Sequence, residues 1–177
     1  MTESHAARSL VDPRTYRENL FLLLCDRDPL EVLAQTAISL DRIVSAHPVN
    51  VLRSRPIEGE WTPNEIIGHL GDGEWVYGCR LRWILSEDNP SIVGTNQDRW
   101  VARQNHNDRD PAELVEMFRA LRECNLALWK RISPTDLNRT GHHNERGAES
   151  LALMLPMWAG HDFSHLNQIN RYLQTLP

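Results

Sequence analysis

An all-α fold, arranged as a four-helix bundle, is what this 177-residue sequence predicts. Three observations carry the prediction. One helix-start pattern recurs three times, and each occurrence is followed by a long stretch with apolar residues at helical spacing. No convincing strand pattern and no internal repeat interrupts the series.

The start pattern reads Asp28-Pro29-Leu30-Glu31, Thr62-Pro63-Asn64-Glu65 and Asp110-Pro111-Ala112-Glu113. A capping side chain accepts from an orphan amide, proline loses nothing at the first helical position, and the glutamate complements the positive end of the helix dipole. The first long helix is expected over 29–46, with Leu30, Leu33, Ala37, Leu40 and Val44 on one face and His47-Pro48 as its stop. Before it, 12–25 predicts a short helix against the end of the bundle. The second long helix is expected over 63–85, with Ile66, His69, Leu70, Gly73, Tyr77 and Leu81 turned inward. Residues 86–110 form a long connection with a short helix around Trp100. The third helix is expected over 111–132, with Leu114, Phe118, Leu121, Leu128 and Trp129 inward and Ser133-Pro134 as its stop. A loop over 135–148 leads to the last helix, 150–173, in which Pro156 marks a kink or a late start. No linker divides the chain, so 1–177 reads as one domain, with 1–27 an N-terminal arm and short helix.

Bulk properties exclude several functions. The net charge is −5 with acidic and basic residues interspersed, which argues against nucleic acid as a partner. No apolar run reaches bilayer length, so no membrane partner is expected, and the N-terminus lacks a basic segment followed by an apolar one. Cys25, Cys79 and Cys124 are isolated and odd in number. They read as reduced, mostly buried thiols in a cytoplasmic protein.

The most informative residues are His161 and His165, one turn apart in Gly160-His161-Asp162-Phe163-Ser164-His165-Leu166. This spacing puts both imidazoles on one helix face, in a stripe with Met157 and Ile169. His69 occupies an inward position of the second helix, with Gly68, Gly71 and Gly73 around it. Each glycine costs about 1 kcal/mol against alanine inside a helix. They therefore mark either close helix approach or room for a ligand. Three neutral imidazoles would hold a divalent metal and leave positions open for water or substrate. Asp72 and Gln168 are placed to hold the second ring nitrogens, while Asp162 points away to cap a neighbour or face solvent. His142 and His143 read as a solvated loop, and His5, His47 and His106 as surface. Cys79 is rotated off the His69 face. No nucleophile elbow, phosphate loop, dinucleotide fingerprint or diiron carboxylate pattern is present.

Trp61-Thr62-Pro63-Asn64-Glu65-Ile66-Ile67-Gly68-His69-Leu70 and Ala159-Gly160-His161-Asp162-Phe163-Ser164-His165-Leu166-Asn167-Gln168-Ile169 resemble the two ligand motifs of the DinB-like (DinB/YfiT) family of metalloenzymes. Glu145-Arg146-Gly147 resembles the loop leading into that family's last helix. The resemblance covers about 29–173. It implies an up-and-down four-helix bundle with a long crossover between helices 2 and 3. It also implies a divalent metal (nickel, zinc or iron) on His69, His161 and His165, and a homodimer. Its implied activities are thiol transfer with a low-molecular-weight thiol and metal-dependent hydrolysis, each on a small-molecule substrate. For a thiol transferase, Arg99, Arg103 and Arg146 are candidates to hold cosubstrate carboxylates. Nothing in the sequence marks catalytic residues beyond the ligands. Two further readings stay open: a non-catalytic metal-binding or dimeric interaction bundle, and an ion-free seam of hydrogen-bonded histidines.

Overall fold

The computed structural model describes residues 12–175. Among these residues seven α-helices follow one another: α1 (Pro13–Leu24), α2 (Pro29–Ala46), α3 (Val49–Leu52), α4 (Pro63–Ser86), α5 (Gln97–Arg103), α6 (Pro111–Trp129) and α7 (Leu151–Leu173). The long ones, α2, α4, α6 and α7, form the four-helix bundle. Their starts are chemically explicit. Asp28 accepts from the Leu30 amide at 2.8 Å, and Asp110 from the Ala112 amide at 2.9 Å. Thr62 and Glu65 close a reciprocal capping box, Glu65 N–H to Thr62 Oγ1 at 3.1 Å and Thr62 N–H to Glu65 Oε2 at 2.7 Å. Ser150 caps α7 through the Leu153 amide at 3.2 Å. The third long helix ends at Trp129, earlier than Ile132, and Pro156 lies within α7 without interrupting it.

Cross-helix pairs fix the directions. Glycine approaches join Gly71 to Met117 and Gly78 to Asn125, so α4 and α6 run parallel, as the long crossover between them requires. His69 meets His161 and Glu74 meets Trp158, so α7 runs antiparallel to α4. Gly160 lets α1 lie against α7, since a Cβ there would come 2.7 Å from the Leu20 carbonyl oxygen. The first helix thus packs along α7 rather than only at the bundle's end.

The crossover is more ordered than a loop. Short strands β1 (Ser91–Ile92), β2 (Thr140–His143) and β3 (Gly147–Ser150) form a small sheet, β1 parallel and β3 antiparallel to β2. These strands correct the expectation of a strandless chain, which fails because they are too short to show a period in the sequence. Gly147, at φ +78°, closes the β2–β3 turn in the left-handed region that a three-residue hairpin loop favours.

The apolar core falls into two clusters. One gathers Leu40, Leu52, Ile66, Leu70, Leu114, Phe118 and Ile169; the other Leu33, Tyr77, Leu81, Ile84, Trp129, Met154 and Trp158. Along α4, α6 and α7, the residues between these clusters are buried and polar: His69, Asp72, Glu74, Arg122, Asn125, His161, Asp162 and His165. Interiors tolerate such groups only when they are mutually satisfied or serve a ligand. No helix among the described residues is long and apolar enough to cross a membrane.

Candidate metal centre

His69 on α4 and His161 and His165 on α7 come together in this polar layer. All three are buried, and one nitrogen from each lies within 4.8 Å of the others. The Nε2 atoms of His69 and His161 are 3.0 Å apart. Two imidazole nitrogens bonded to one ion at about 2.0–2.1 Å, at angles of about 90–110°, would lie about 2.9–3.4 Å apart. The rings are therefore spaced for a shared ion. The same distance also suits one ring N–H donating to the other ring's lone pair, the arrangement of an ion-free site.

The surroundings of His165 favour a ligand role. Its Nδ1 lies 2.9 Å from Gln168 Oε1, Gln168 Nε2 donates to Tyr172 Oη at 2.9 Å, and Tyr172 donates to Glu60 Oε2 at 2.9 Å. An amide oxygen can only accept, so the proton sits on Nδ1 and Nε2 is the nitrogen that carries the lone pair a metal would need. His161 Nδ1 is buried without a hydrogen bond and faces Asp162 Oδ1 at 3.7 Å. The Trp61 ring walls the site, 4.7 Å from the His69 ring and 6.2 Å from that of His165 by centroid.

Asp162 is buried, so it does not face solvent, one of the two alternatives expected for it. Arg122 Nη2 bridges Asp162 Oδ2 at 2.6 Å and Glu74 Oε1 at 2.5 Å, and Nη1 donates to the Leu33 carbonyl at 2.6 Å. Asn125 and Trp158 donate to the same Glu74 carboxylate. Burial pushes Glu74 above its ordinary pKa. At Asp162 burial acts in the same sense, but the Arg122 and His161 charges outweigh it and hold the carboxyl below its usual range. Helical spacing could not show this network, because its partners come from three different helices.

Asp72 also differs from expectation. Its carboxylate is held by His106 Nε2 at 2.8 Å and Gln104 Nε2 at 2.9 Å rather than by a triad histidine. His106, expected at the surface, is fully buried and stacked over Gly68, where a Cβ would come 2.3 Å from the ring. The crossover folds back onto α4 at this point, with Asn64 Nδ2 donating to the His106 carbonyl at 2.8 Å. His143 is likewise buried, on β2. Burial first, then the Arg146 and Arg80 charges, lower its pKa from 6.5 to about 4. His142 is exposed, as expected, and His5 lies outside the described residues. All three cysteines are exposed, not buried, because each sits on the outer side or end of its helix.

The histidines open into a cavity of about 240 Å³. Asp72, Tyr77, Arg80, Trp100, Glu145 and Arg146 are among its other lining residues. Arg99 and Arg103 are exposed and line a neighbouring surface groove instead. Arg146 is taken up by Glu149, Nε to Oε1 at 2.5 Å and Nη2 to Oε2 at 2.9 Å. Tyr77 is pushed above its ordinary pKa by burial and stays a neutral phenol. Arg80 escaped the sequence reading, although it lies close to three full helical turns beyond His69 on the same face of α4.

Comparison with known proteins gives the family and the fold. The profile of the DinB superfamily matches residues 33–169. A protein of Oceanobacillus iheyensis, named provisionally as a metal-dependent hydrolase, is 31% identical over 112 residues, which cover 63% of this chain and 64% of that protein. A second such protein from Bacillus mycoides is 25% identical over 118 residues, 67% of this chain and 68% of its own length. The chain thus spans just under two thirds of the Oceanobacillus protein. Among solved structures, YfiT from Bacillus subtilis superposes with a TM-score of 0.71 at 19% identity, covering 91% of this chain and 89% of that one. YfiT is described as a probable metal-dependent hydrolase with an unusual four-helix bundle topology.

Proposed function

Because this chain belongs to the DinB superfamily, we propose that it is a metal-dependent hydrolase of a small molecule, with His69, His161 and His165 as ligands to one divalent ion. The observation that carries the reading is the convergence of three buried imidazoles at a cavity large enough for a small ligand. The relatives' names support the same reaction class. A divalent ion in this set would supply a Lewis acid that lowers the pKa of a water or thiol. Three imidazoles suit nickel, zinc or iron.

The chain's own residues then have separate tasks. Gln168, Tyr172 and Glu60 hold the His165 ring and its tautomer. Asp162 faces His161 Nδ1 with negative charge, and Arg122 keeps that carboxylate ionised and in place. Asp72 lines the cavity, fixed by His106 and Gln104, and is the group we assign to accept the proton of an attacking water. Trp61 and Tyr77 exclude solvent from two sides of the histidine cluster.

The test is elemental analysis of untagged protein purified without chelator, beside the His69→Ala, His161→Ala and His165→Ala variants. About one ion per chain, lost in each variant, is the expected result. The loaded protein is then assayed with water and with small thiols as nucleophiles. Absence of metal after incubation with nickel, zinc and iron would overturn the reading.

A further inference from the structure

We infer that the cavity beside the histidine cluster binds a small monocarboxylate, its carboxylate docked on the Arg80 guanidinium and its reacting group at the histidine end. The inference rests on the metal-dependent reading above and names a substrate class for it.

Arg80 is only 5% exposed, yet it lines the cavity. Its Nη2 donates to the Val93 carbonyl at 3.2 Å and lies 3.3 Å from His143 Nε2. Among the described residues, no carboxylate comes within ion-pair distance of it. A buried cation without a paired anion is costly, and the planar guanidinium fork matches a carboxylate. The other cation of the cavity, Arg146, already has its fork filled by Glu149. Of the two cavity guanidiniums, Arg80 is thus the one with no carboxylate partner among the described residues.

The remaining charges, the Asp72 carboxylate held by His106 and Gln104 and that of Glu145, argue for a single negative group. Glu145 also lines the cavity, at its exposed rim, with its carboxylate folded over Gly94. One anionic group meets Arg80, and a second would meet Glu145. A dianionic phosphate is therefore matched poorly and a monocarboxylate well.

The span is short. The Tyr77 ring lies 5.9 Å from the His161 ring by centroid, and Arg80 Cζ lies 5.7 Å from the Tyr77 centroid. The His161 ring and the Arg80 guanidinium thus both lie within about 6 Å of one aromatic ring. That ring supplies the apolar wall against which the ligand's carbon chain would lie.

The test titrates cobalt-loaded protein with 3-mercaptopropionate and with its neutral amide, 3-mercaptopropionamide. Affinity is read by calorimetry, and the metal contact by the thiolate-to-cobalt absorption band. The acid should bind about tenfold more tightly than the amide, as expected for one charge-assisted fork. Arg80→Gln should bring that ratio to about one and leave the amide's affinity unchanged. Since Arg80 is buried, Glu145→Gln on the rim serves as a second variant, and it should strengthen binding of the acid about threefold without affecting the amide. Equal affinity for acid and amide in the unsubstituted protein overturns the inference. So does an acid preference that survives Arg80→Gln in a folded variant. An absorption band with equal affinities would reject the carboxylate subsite and keep the metal reading; an acid preference without the band would do the reverse.

Discussion

Gln168 Oε1 accepts from His165 Nδ1 at 2.9 Å, three residues along the same helix, and this one bond decides which nitrogen of His165 faces His69 and His161. Without it the ring could exchange tautomers or turn over, and the lone pair would no longer be committed to the cluster. The bond is itself braced through Tyr172 to Glu60, which stands just before Trp61 and the start of α4. The two ligand-bearing helices are therefore tied by a hydrogen-bonded chain as well as by the ligands.

Gln168→Leu should keep the fold but weaken metal affinity by about 10- to 100-fold, the range usual for a lost partner of a ligating histidine. Competition with a chromogenic chelator measures it. Gln168→Glu, which still accepts from Nδ1, should retain most of the affinity. Unchanged affinity in Gln168→Leu would mean that His165 is oriented by packing against Trp61 alone.

Arg122 is the only cation bonded to both Glu74 and Asp162 among the described residues, and it is 2% exposed. Arg122→Met would leave two carboxylates buried without their counter-charge. Breaking a buried network by removing one partner costs about 3–5 kcal/mol. Urea unfolding at neutral pH should show a loss of this size. Protonation of the orphaned acids offers relief, so the deficit should shrink as the pH is lowered. A loss below about 1 kcal/mol would show that these groups repack or hydrate easily.

The bundle was legible in the sequence because its evidence is local. Capping residues, Pro29, Pro63 and Pro111, and the apolar stripes lie within single segments, and the structure starts α2, α4 and α6 at those prolines. The triad was legible for the same reason: His161 and His165 are one turn apart, and His69 sits on an apolar face. What escaped depends on contacts between distant segments. His106 looked like a surface residue because its partner, Asp72, lies 34 positions earlier and across the crossover. Arg122 carries no local signal within α6, and only the meeting of α4, α6 and α7 makes it a bridge. The strands β1 to β3 are too short to carry a period, and their pairing joins the crossover to the hairpin before α7.

The glycines around His69 divide by function. A Cβ at Gly68 would meet His106 Cγ at 2.3 Å, whereas at Gly73 it would rest 3.7 Å from His161 Cε1, an ordinary contact. Gly68→Ala should therefore destabilise by about 1–3 kcal/mol through overpacking against a ring that Asp72 holds in place. Gly73→Ala should be neutral or stabilising by up to about 1 kcal/mol, from helix propensity, with metal content unchanged. Thermal unfolding of the two variants side by side checks this. A severe loss in Gly73→Ala would show that α4 and α7 approach more closely there than this geometry allows.

His143 gives the protein a pH response of predictable sign. Its folded pKa of about 4 lies below the ordinary 6.5, chiefly through burial, so between these values the unfolded chain binds the proton and the folded one does not. Stability is then fully present above about pH 6.5 and declines as the pH falls toward 4. Glu149, held below its ordinary value by Arg146 despite burial, extends the loss to lower pH. Metal-free protein should therefore melt at progressively lower temperature from pH 7 to pH 4, and His143→Asn should flatten that part of the curve. The measurement is made without metal because release of the ion at low pH would add its own slope in the loaded form. Identical slopes for the two proteins would place the titrating group elsewhere. If the slope does belong to His143, it acts where the site is most exposed to change. A charged His143 would face Arg80 across 3.3 Å, and the repulsion would fall on the hairpin that carries Glu145 and Arg146 into the cavity.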